Sequence, residues 1–467
     1  MEALDLARWQ FGVTTVYHFL FVPLTIGLAA LVAAMETAWL RTGNDKWLRA
    51  TKFWGKLFLI NFAMRDVTGI ELEFQFGMNW SSYSRFVGDV FGPPLAMEAL
   101  LAFFLESTFL GLWIFGWNRL PRALHAACMW AVAVGTLFSA YFILAANSWM
   151  QNPLGYEIVD GRARLTDIWA VLTSTKQLVT FPHTIFAAFV TAGVFLIAVS
   201  SWHLARKRHT DVMRSSLRVG LAVALVASVG VAVSGDLQAK VVTDQQPMKM
   251  AAAEALYETE APASFSLFTI GNLDGTQEVW SLRVPYVLSY LATGDLQGEV
   301  AGIDDLQAEY EQTHGPGDYR PNIPVVYWSF RLMMGAGILI LAGSALGLWL
   351  TRRGRLPGNP WVWRAGLLAL PLPFIANSTG WIMAEMGRQP WTVFGVLQTA
   401  DSVSPAVGVG SVATSLAVFT LLYGLLAAVE VGLLVKFIKI GPPTSEEVQA
   451  ELEPPPDEAD HDVELVY

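Results

Sequence analysis

The 467-residue chain is poor in three things: it has one cysteine, seven histidines and only 15% charged residues, against about 25% in an average soluble protein. The single thiol, Cys128, excludes a disulfide framework, a cysteine-rich zinc site and a cysteine-bound iron–sulfur cluster. The low charge density excludes disorder, a nucleic-acid binder and an ordinary cytosolic enzyme. The histidines are also badly distributed for a copper–haem oxidase or a di-haem cytochrome b, which need several within the membrane. His203, His209, His314 and His461 fall in loops or the tail, and His125 at a span end where it reads as structural. No internal repeat, Gly-rich phosphate loop or GxGxxG fingerprint is present.

Apolar length dominates what remains. The chain is 54% hydrophobic, with a mean hydropathy of +0.43. Nine windows near the ~20 residues that cross a hydrocarbon core as helix are read at about 10–38, 51–74, 93–118, 122–148, 180–202, 217–234, 326–351, 361–385 and 412–438. The expectation is an all-α integral membrane protein, its nine transmembrane helices forming helical bundles. The first window has no basic n-region and is too long for a cleaved signal, so it is expected to remain. Basic residues gather in alternate connections: Arg41/Lys46/Arg49/Lys52, Arg119/Arg122, Arg206/Lys207/Arg208 and Arg352/Arg353/Arg355. That alternation predicts an outer N-terminus and a cytoplasmic C-terminus.

The expected organisation is six helices over 1–235, an outer segment over 236–325, three helices over 326–440 and a disordered, acidic cytoplasmic tail over 441–467. The outer segment carries 14 acids against four bases, and its start, DQQPMKMAAAEALYE, reads as an amphipathic helix. A connection of that length is usually functional or disordered.

Polar groups inside a span are costly and are functional candidates by default. His18 lies about eight residues into the first span, or ~12 Å deep at 1.5 Å per residue. His183 opens the fifth span, Met333 starts the seventh and Glu385 ends the eighth, so all four fall in the outer half of the membrane. Imidazole and thioether are axial ligands to haem iron, and a His/Met pair suits a low-spin electron-transfer haem. Singly, such a histidine also serves as helix glue, and a methionine as apolar filler.

Glu98 and Glu106 share one face of the third span about 12 Å apart, and Ser139 on the fourth reaches a similar depth. Such a row reads as a proton relay, or as groups that satisfy one another between helices. Arg8, Arg331 and Arg388 lie near the outer boundary, where each can grip a carboxylate such as a haem propionate or snorkel to the interface. Trp381, one turn before Glu385, is placed to bridge cofactors.

The runs RWQFGVTTVYHFLFVPLTIG, EFQFGMNWSSYSRFVGDVFGPPLAMEALLAFFLESTFLGLWIFGW, ANSWMQNP, QPMKMAAAEALYE, YWSFRLMM and GWIMAEMGRQPW together resemble subunit I of the cytochrome bd-type quinol oxidases. The resemblance covers about residues 6–438, in order, across all nine spans. It implies that His183 and Met333 are the axial ligands of a low-spin haem b. His18 and Glu385 would be the ligands of the two high-spin haems, a haem b and a haem d, in either order. It also implies a quinol site at Lys249 and Glu254, at the start of a short-class Q-loop between helices 6 and 7. Glu98, Glu106 and Ser139 match the proton pathway, Trp381 an aromatic between haems, and Arg8, Arg331 and Arg388 positions beside propionates. The implied partners are a homologous subunit II, a small single-span subunit, quinol and O2. The implied location is a bacterial plasma membrane.

One stretch departs from the pattern. NFAMRDVTGIELEFQFG has Arg65 and Asp66 where the family carries a small apolar pair, and Glu71 at another apolar or small position. Each mid-span charge costs at least ~2.5–3.5 kcal/mol unless paired. The expected activity is quinol:oxygen oxidoreduction, with protons for water formation drawn from the cytoplasm and quinol protons released outside, without a pump. A carboxylate-coupled ion or solute transporter using Glu98, Glu106 and Asp66 is the competing reading, and a cofactor-free scaffold the third. The cluster of His18, His183, Met333 and Glu385 discriminates, because a transporter has no use for it.

Overall fold

The computed structural model describes residues 2–272 and 275–452 of the chain. Helix α1 (Ala3–Thr42) begins at a capping box between Glu2 and Asp5 and stops at Gly43, whose φ of 65° is left-handed. Helix α2 (Asp45–Met78) runs back along it. Asn61 of α2 fixes their register by donating to the Phe21 carbonyl at 2.9 Å and to Thr25 Oγ1 at 2.6 Å.

The next span is broken. Helix α3 (Ser81–Met97) passes through a π-helical turn at Glu98–Phe103 into α4 (Phe104–Phe115). Helix α5 (Arg122–Gln151) leads to a hairpin, β1 (Tyr156–Val159) with β2 (Arg162–Leu165), then to a short α6 (Ile168–Leu172). Helices α7 (Thr175–Ala205) and α8 (Thr210–Gln245) pack along each other. Helix α8 runs 11 residues past the expected span end at 234, about 16 Å at helical rise, so the outer segment starts on a helical stalk.

The expected helix at the start of that segment is α9 (Pro247–Glu254). Then come an antiparallel hairpin, β3 (Phe265–Gly271) with β4 (Glu278–Val284), and two short helices, α10 (Val287–Thr293) and α11 (Ile303–His314). Helix α12 (Ile323–Leu350) returns to the bundle. The expected eighth span is two helices, α13 (Pro360–Leu368) and α14 (Pro371–Met386), because Pro371 has no N–H to continue the ladder. A small hairpin, β5 (Trp391–Val393) with β6 (Leu397–Gln398), leads to α15 (Val409–Ile440).

Among the described residues, eight helices are long and apolar enough to cross a membrane. Helix α2, the ninth long helix, falls short because Arg65, Asp66, Glu71 and Glu73 interrupt it. The core joins α1, α2, α4, α5, α7 and α8 through Leu28, Val32, Trp54, Leu57, Phe58, Trp113, Met129, Leu196 and Met213. Small residues permit the closest approach: a Cβ on Gly27 of α1 would lie 2.6 Å from the Ala188 carbonyl oxygen of α7. Burial is uneven, 67% of the apolar window of α1 against 6% for α13–α14 and 11% for α15. The second group of helices therefore shows most of its apolar surface.

The tail differs from expectation at its start. Residues Ser445–Leu452 form α16, which docks on α2. Val448 is buried against Trp39 and Leu48, and Lys52 pairs with Glu451. Burying one valine and pairing these charges orders a stretch that composition alone marks as a solvated tail. The remainder, 453–467, lies outside the described residues.

Candidate functional site

Each histidine expected to bind iron is held by a hydroxyl from a neighbouring helix. His18 on α1 meets Thr68 Oγ1 of α2 through Nδ1 at 2.8 Å, and His183 on α7 meets Ser234 Oγ of α8 through Nδ1 at 3.1 Å. A hydrogen bond at Nδ1 fixes the ring and reserves Nε2 for ligation. Three of the four expected ligands also lie against a glycine. A Cβ at Gly69 would come within 3.2 Å of His18, one at Gly235 within 3.3 Å of His183, and one at Gly380 within 2.9 Å of Met333 Sδ. No cluster of three or more His, Cys, Asp and Glu that could hold a free metal ion exists among the described residues.

Glu385 is differently placed. Its Oε1 accepts from Asn147 Nδ2 at 2.9 Å and from Gln151 Nε2 at 3.2 Å, and its Oε2 from Arg388. Three donors hold the carboxylate in place, and Oε2, which takes only the Arg388 bond, keeps a lone pair for ligation. The turn before it connects the other groups. Gly380 abuts Met333, and Trp381 meets Phe19, the neighbour of His18, edge to face at 5.3 Å.

The arginines supply a test of fit to haem. Arg388 is 4% exposed, and its Nε and Nη1 are buried without partners. Arg331 likewise has buried, unpartnered Nε and Nη1. Four orphaned guanidinium nitrogens are costly unless anionic oxygens reach them, and haem propionates supply such oxygens. Arg8 is exposed and lines an open cavity of about 340 Å³ with Arg320, Asn322, Gln389 and Gln398. The donors and orphaned cations fit haem; Arg8 adds nothing to that fit.

The two residues expected at a quinol site are both buried. Lys249 on α9 is 2% exposed and donates to Oε1 of Gln151, the same side chain that reaches Glu385. Burial pushes its amine well below the ordinary lysine range, Lys176 and Arg388 push the same way, and Glu385 opposes them. Glu254, the last residue of α9, accepts from Arg331 Nη2 at 2.7 Å and from the Ser266 amide of β3 at 3.0 Å. Burial raises its carboxyl above the usual range, against the lowering by Arg331. Arg283 of β4 ties the hairpin to the end of α9 by donating to the Ala255 carbonyl at 2.8 Å. Lys249 and Glu254 thus belong to two separate networks, one reaching α5 and one α12.

The third group also meets. Ser139 on α5 donates to Glu98 Oε1 at 2.7 Å, and Glu98 opens the π-helical turn that displaces the two carboxylates from ideal helical spacing. Glu106 does not bond Ser139. Its Oε2 and Oε1 accept from Arg65 Nη1 at 2.6 Å and Nη2 at 3.3 Å, and the same Nη2 donates to Ser139 Oγ at 3.0 Å. Gly135 opposite Glu106 lets α5 approach, since a Cβ there would fall 2.6 Å from Glu106 Cγ. The mid-span charge Arg65 is paired, and it is part of the site.

Sequence reading did not single out Asn147, Gln151, Thr68 and Ser234 as site residues. Asn147 and Gln151 both occur in ANSWMQNP, and their i, i+4 spacing puts them on one face of α5; that spacing was the available signal. Thr68 and Ser234 carry no such signal, because helical hydroxyls usually bond their own backbone, as both also do here.

Comparison with known proteins finds relatives over nearly the whole chain. The family described as cytochrome bd terminal oxidase subunit I matches residues 6–442. Cytochrome bd ubiquinol oxidase subunit 1 of Bacillus subtilis (strain 168) is 49% identical over 442 residues, covering 94% of each chain. Cytochrome bd-II ubiquinol oxidase subunit 1 of Escherichia coli (strain K12) is 39% identical over 500 residues, covering 94% of this chain and 97% of that one. The structure of a bd oxidase from Geobacillus thermodenitrificans superposes with a TM-score of 0.86 at 27% identity, covering 94% of this chain and 99% of that one.

Proposed function

The chain belongs to the family of subunit I of the cytochrome bd terminal oxidases, and from that premise we propose how its residues divide the work of a quinol oxidase. It is the catalytic subunit of a multi-pass, haem-containing bacterial membrane enzyme that oxidises quinol. The transporter and scaffold readings are set aside by that membership. Haem, when bound, supplies the redox chemistry by taking electrons from quinol and delivering them to oxygen.

In this reading His183 and Met333 hold a low-spin haem b, and His18 and Glu385 hold the two high-spin haems, a haem b and a haem d, in either order. Arg331 and Arg388 offer their orphaned nitrogens to propionates, and Trp381 packs between the sites. Lys249 orients quinol, and Glu254 receives a proton from it as a buried base. Glu98, Ser139 and Glu106 carry protons from the cytoplasm towards the oxygen chemistry, so that uptake and release on opposite faces separates charge without a pump. The basic connections support an outer N-terminus and a cytoplasmic C-terminus. Helix α2 is the ninth span, with Arg65 turned into the relay and Glu71 accepting from Gln75 and Tyr423. The apolar faces of α12 to α15 take lipid, a homologous subunit II and a small single-span subunit.

One observation carries the reading. The stretch Gly380–Arg388 touches Met333, the Phe19 neighbour of His18, and, through Gln151, Lys249, so about two turns of chain join the proposed ligand and quinol residues. The test is a dithionite-reduced minus air-oxidised absorption spectrum of the purified complex. Haem b bands with a red-shifted chlorin band are expected. His183→Ala and Met333→Leu should each remove the low-spin component alone, and His18→Ala a high-spin component. Unchanged spectra in all three variants would overturn the ligand assignment.

A further inference from the structure

Arg65 stands where a proton route would otherwise run. Its side chain is nearly sealed from solvent and that of Glu106 wholly so. Both Glu106 oxygens are occupied by the guanidinium, and Ser139 accepts from the same guanidinium while giving its only proton to Glu98. Among the described residues, no hydrogen bond joins Glu106 to Ser139 or Glu98. An arginine stays charged in proteins and cannot pass a proton on by losing its own. The contact between the inner carboxylate and the outer pair is therefore closed by a group that conducts nothing.

We propose that Arg65 is a gate in the proton route of this oxidase, a positioning residue that bridges Glu106 and Ser139 and must leave Glu106 before a proton passes to the Ser139–Glu98 pair. The inference rests on the reading of Glu98, Ser139 and Glu106 as that route. The groups around Arg65 explain how it would open. Glu106 faces it from α4, Glu98 from the π-helical turn, and Asp66 is its neighbour on α2, so one fixed cation sits among three carboxylates. Asp66 has no hydrogen-bond partner among the described residues and offers a second anion to the displaced guanidinium. A proton arriving on Glu106 from the cytoplasmic side cancels the charge that holds Arg65 and frees the fork. The arriving proton would thus open its own path, and an empty route would stay shut against backflow.

The test uses the assembled complex with its partner subunit and the variants Arg65→Lys, Arg65→Gln and Arg65→Gln/Glu106→Gln. Lysine keeps the charge but cannot bond Glu106 and Ser139 as a planar fork; glutamine loses the charge. The solvent H2O/D2O isotope effect on quinol oxidase turnover should fall from wild type to Arg65→Lys and further in Arg65→Gln. Hydrogen/deuterium difference infrared spectra should show an exchangeable protonated-carboxyl C=O band in Arg65→Gln that is absent from wild type and from the double variant. A merely structural ion pair would leave the isotope effect unmoved, whereas the infrared band reports only that Glu106 takes a proton once the guanidinium is gone. If the lysine variant keeps wild-type haem spectra and a wild-type isotope effect, the gate is overturned, even where the glutamine variant does not assemble. Full turnover in Glu106→Gln would instead defeat the underlying relay, which separates the two failures.

Discussion

Glu254 and Arg331 form a buried ion pair of 2.7 Å between the end of α9 and the third turn of α12, two residues before Met333. The outer segment is thus fastened to the helix that presents a proposed haem ligand by the same carboxylate proposed to receive a quinol proton. The Ser266 amide adds a second donor from β3. A base held this way is positioned by three elements at once and has little freedom to swing.

Its titration should therefore be visible. A carboxylate receives a proton only when ionised, so quinol oxidation should fall as pH falls through the pKa of Glu254. Burial raises that pKa and Arg331 lowers it. Arg331→Gln removes the lowering influence and should move the acid limb of kcat/KM for quinol to higher pH, with Arg331→Lys restoring part of the shift. An acid limb unmoved in both variants would show that Glu254 is not the group observed.

Gly380 makes a second prediction. A Cβ there would lie 2.9 Å from Met333 Sδ, closer than real side chains approach, so Gly380→Ala should displace the thioether. The expected outcome is a shifted midpoint potential for the low-spin haem, with the high-spin bands unchanged. Redox titration of the α-band measures it.

Gln151 links Lys249 to Glu385, and its amide makes no other hydrogen bond among the described residues. Gln151→Ala leaves a buried amine without its acceptor, a loss of about 1.5–3 kcal/mol for a bond to a charged group. If that loss falls on bound quinol, KM should rise roughly ten- to a hundredfold. Steady-state kinetics with haem content as the control would show it.

The last prediction concerns stability alone. Glu36 is fully buried and accepts from Trp113 Nε1 at 2.8 Å, while its other oxygen lies 2.5 Å from His125 Nδ1. The Nε2 of His125 meets the Trp113 carbonyl at 2.8 Å. His125→Ala removes one of the two partners of a buried carboxylate and should cost about 1–3 kcal/mol. A lowered unfolding temperature with an unaltered haem spectrum is expected.

Much of this protein is fixed by local pattern. Apolar runs of span length sufficed to place eight helices, and His18, His183, Met333 and Glu385 were legible because a polar or sulfur-bearing group at a common depth needs a reason. The break at Glu98 and the split at Pro371 were less legible, since a π-turn and a helix interruption change backbone bonding without changing hydropathy. The docking of α16 was hidden for a similar cause: a single valine and a few pairs order a segment whose composition is that of a solvated tail.

Arg65 marks the limit. The sequence by itself determined that a mid-span cation must find a partner, because leaving it unpaired in hydrocarbon is too costly. Only the tertiary structure decided that the partner is Glu106, 41 residues away on another helix, with Ser139 alongside. The same holds for Gln151 and Lys249, 98 residues apart. Hydropathy and periodicity describe one helix at a time, whereas which side chains meet is set by how helices cross, and small residues such as Gly27 and Gly135 control that crossing.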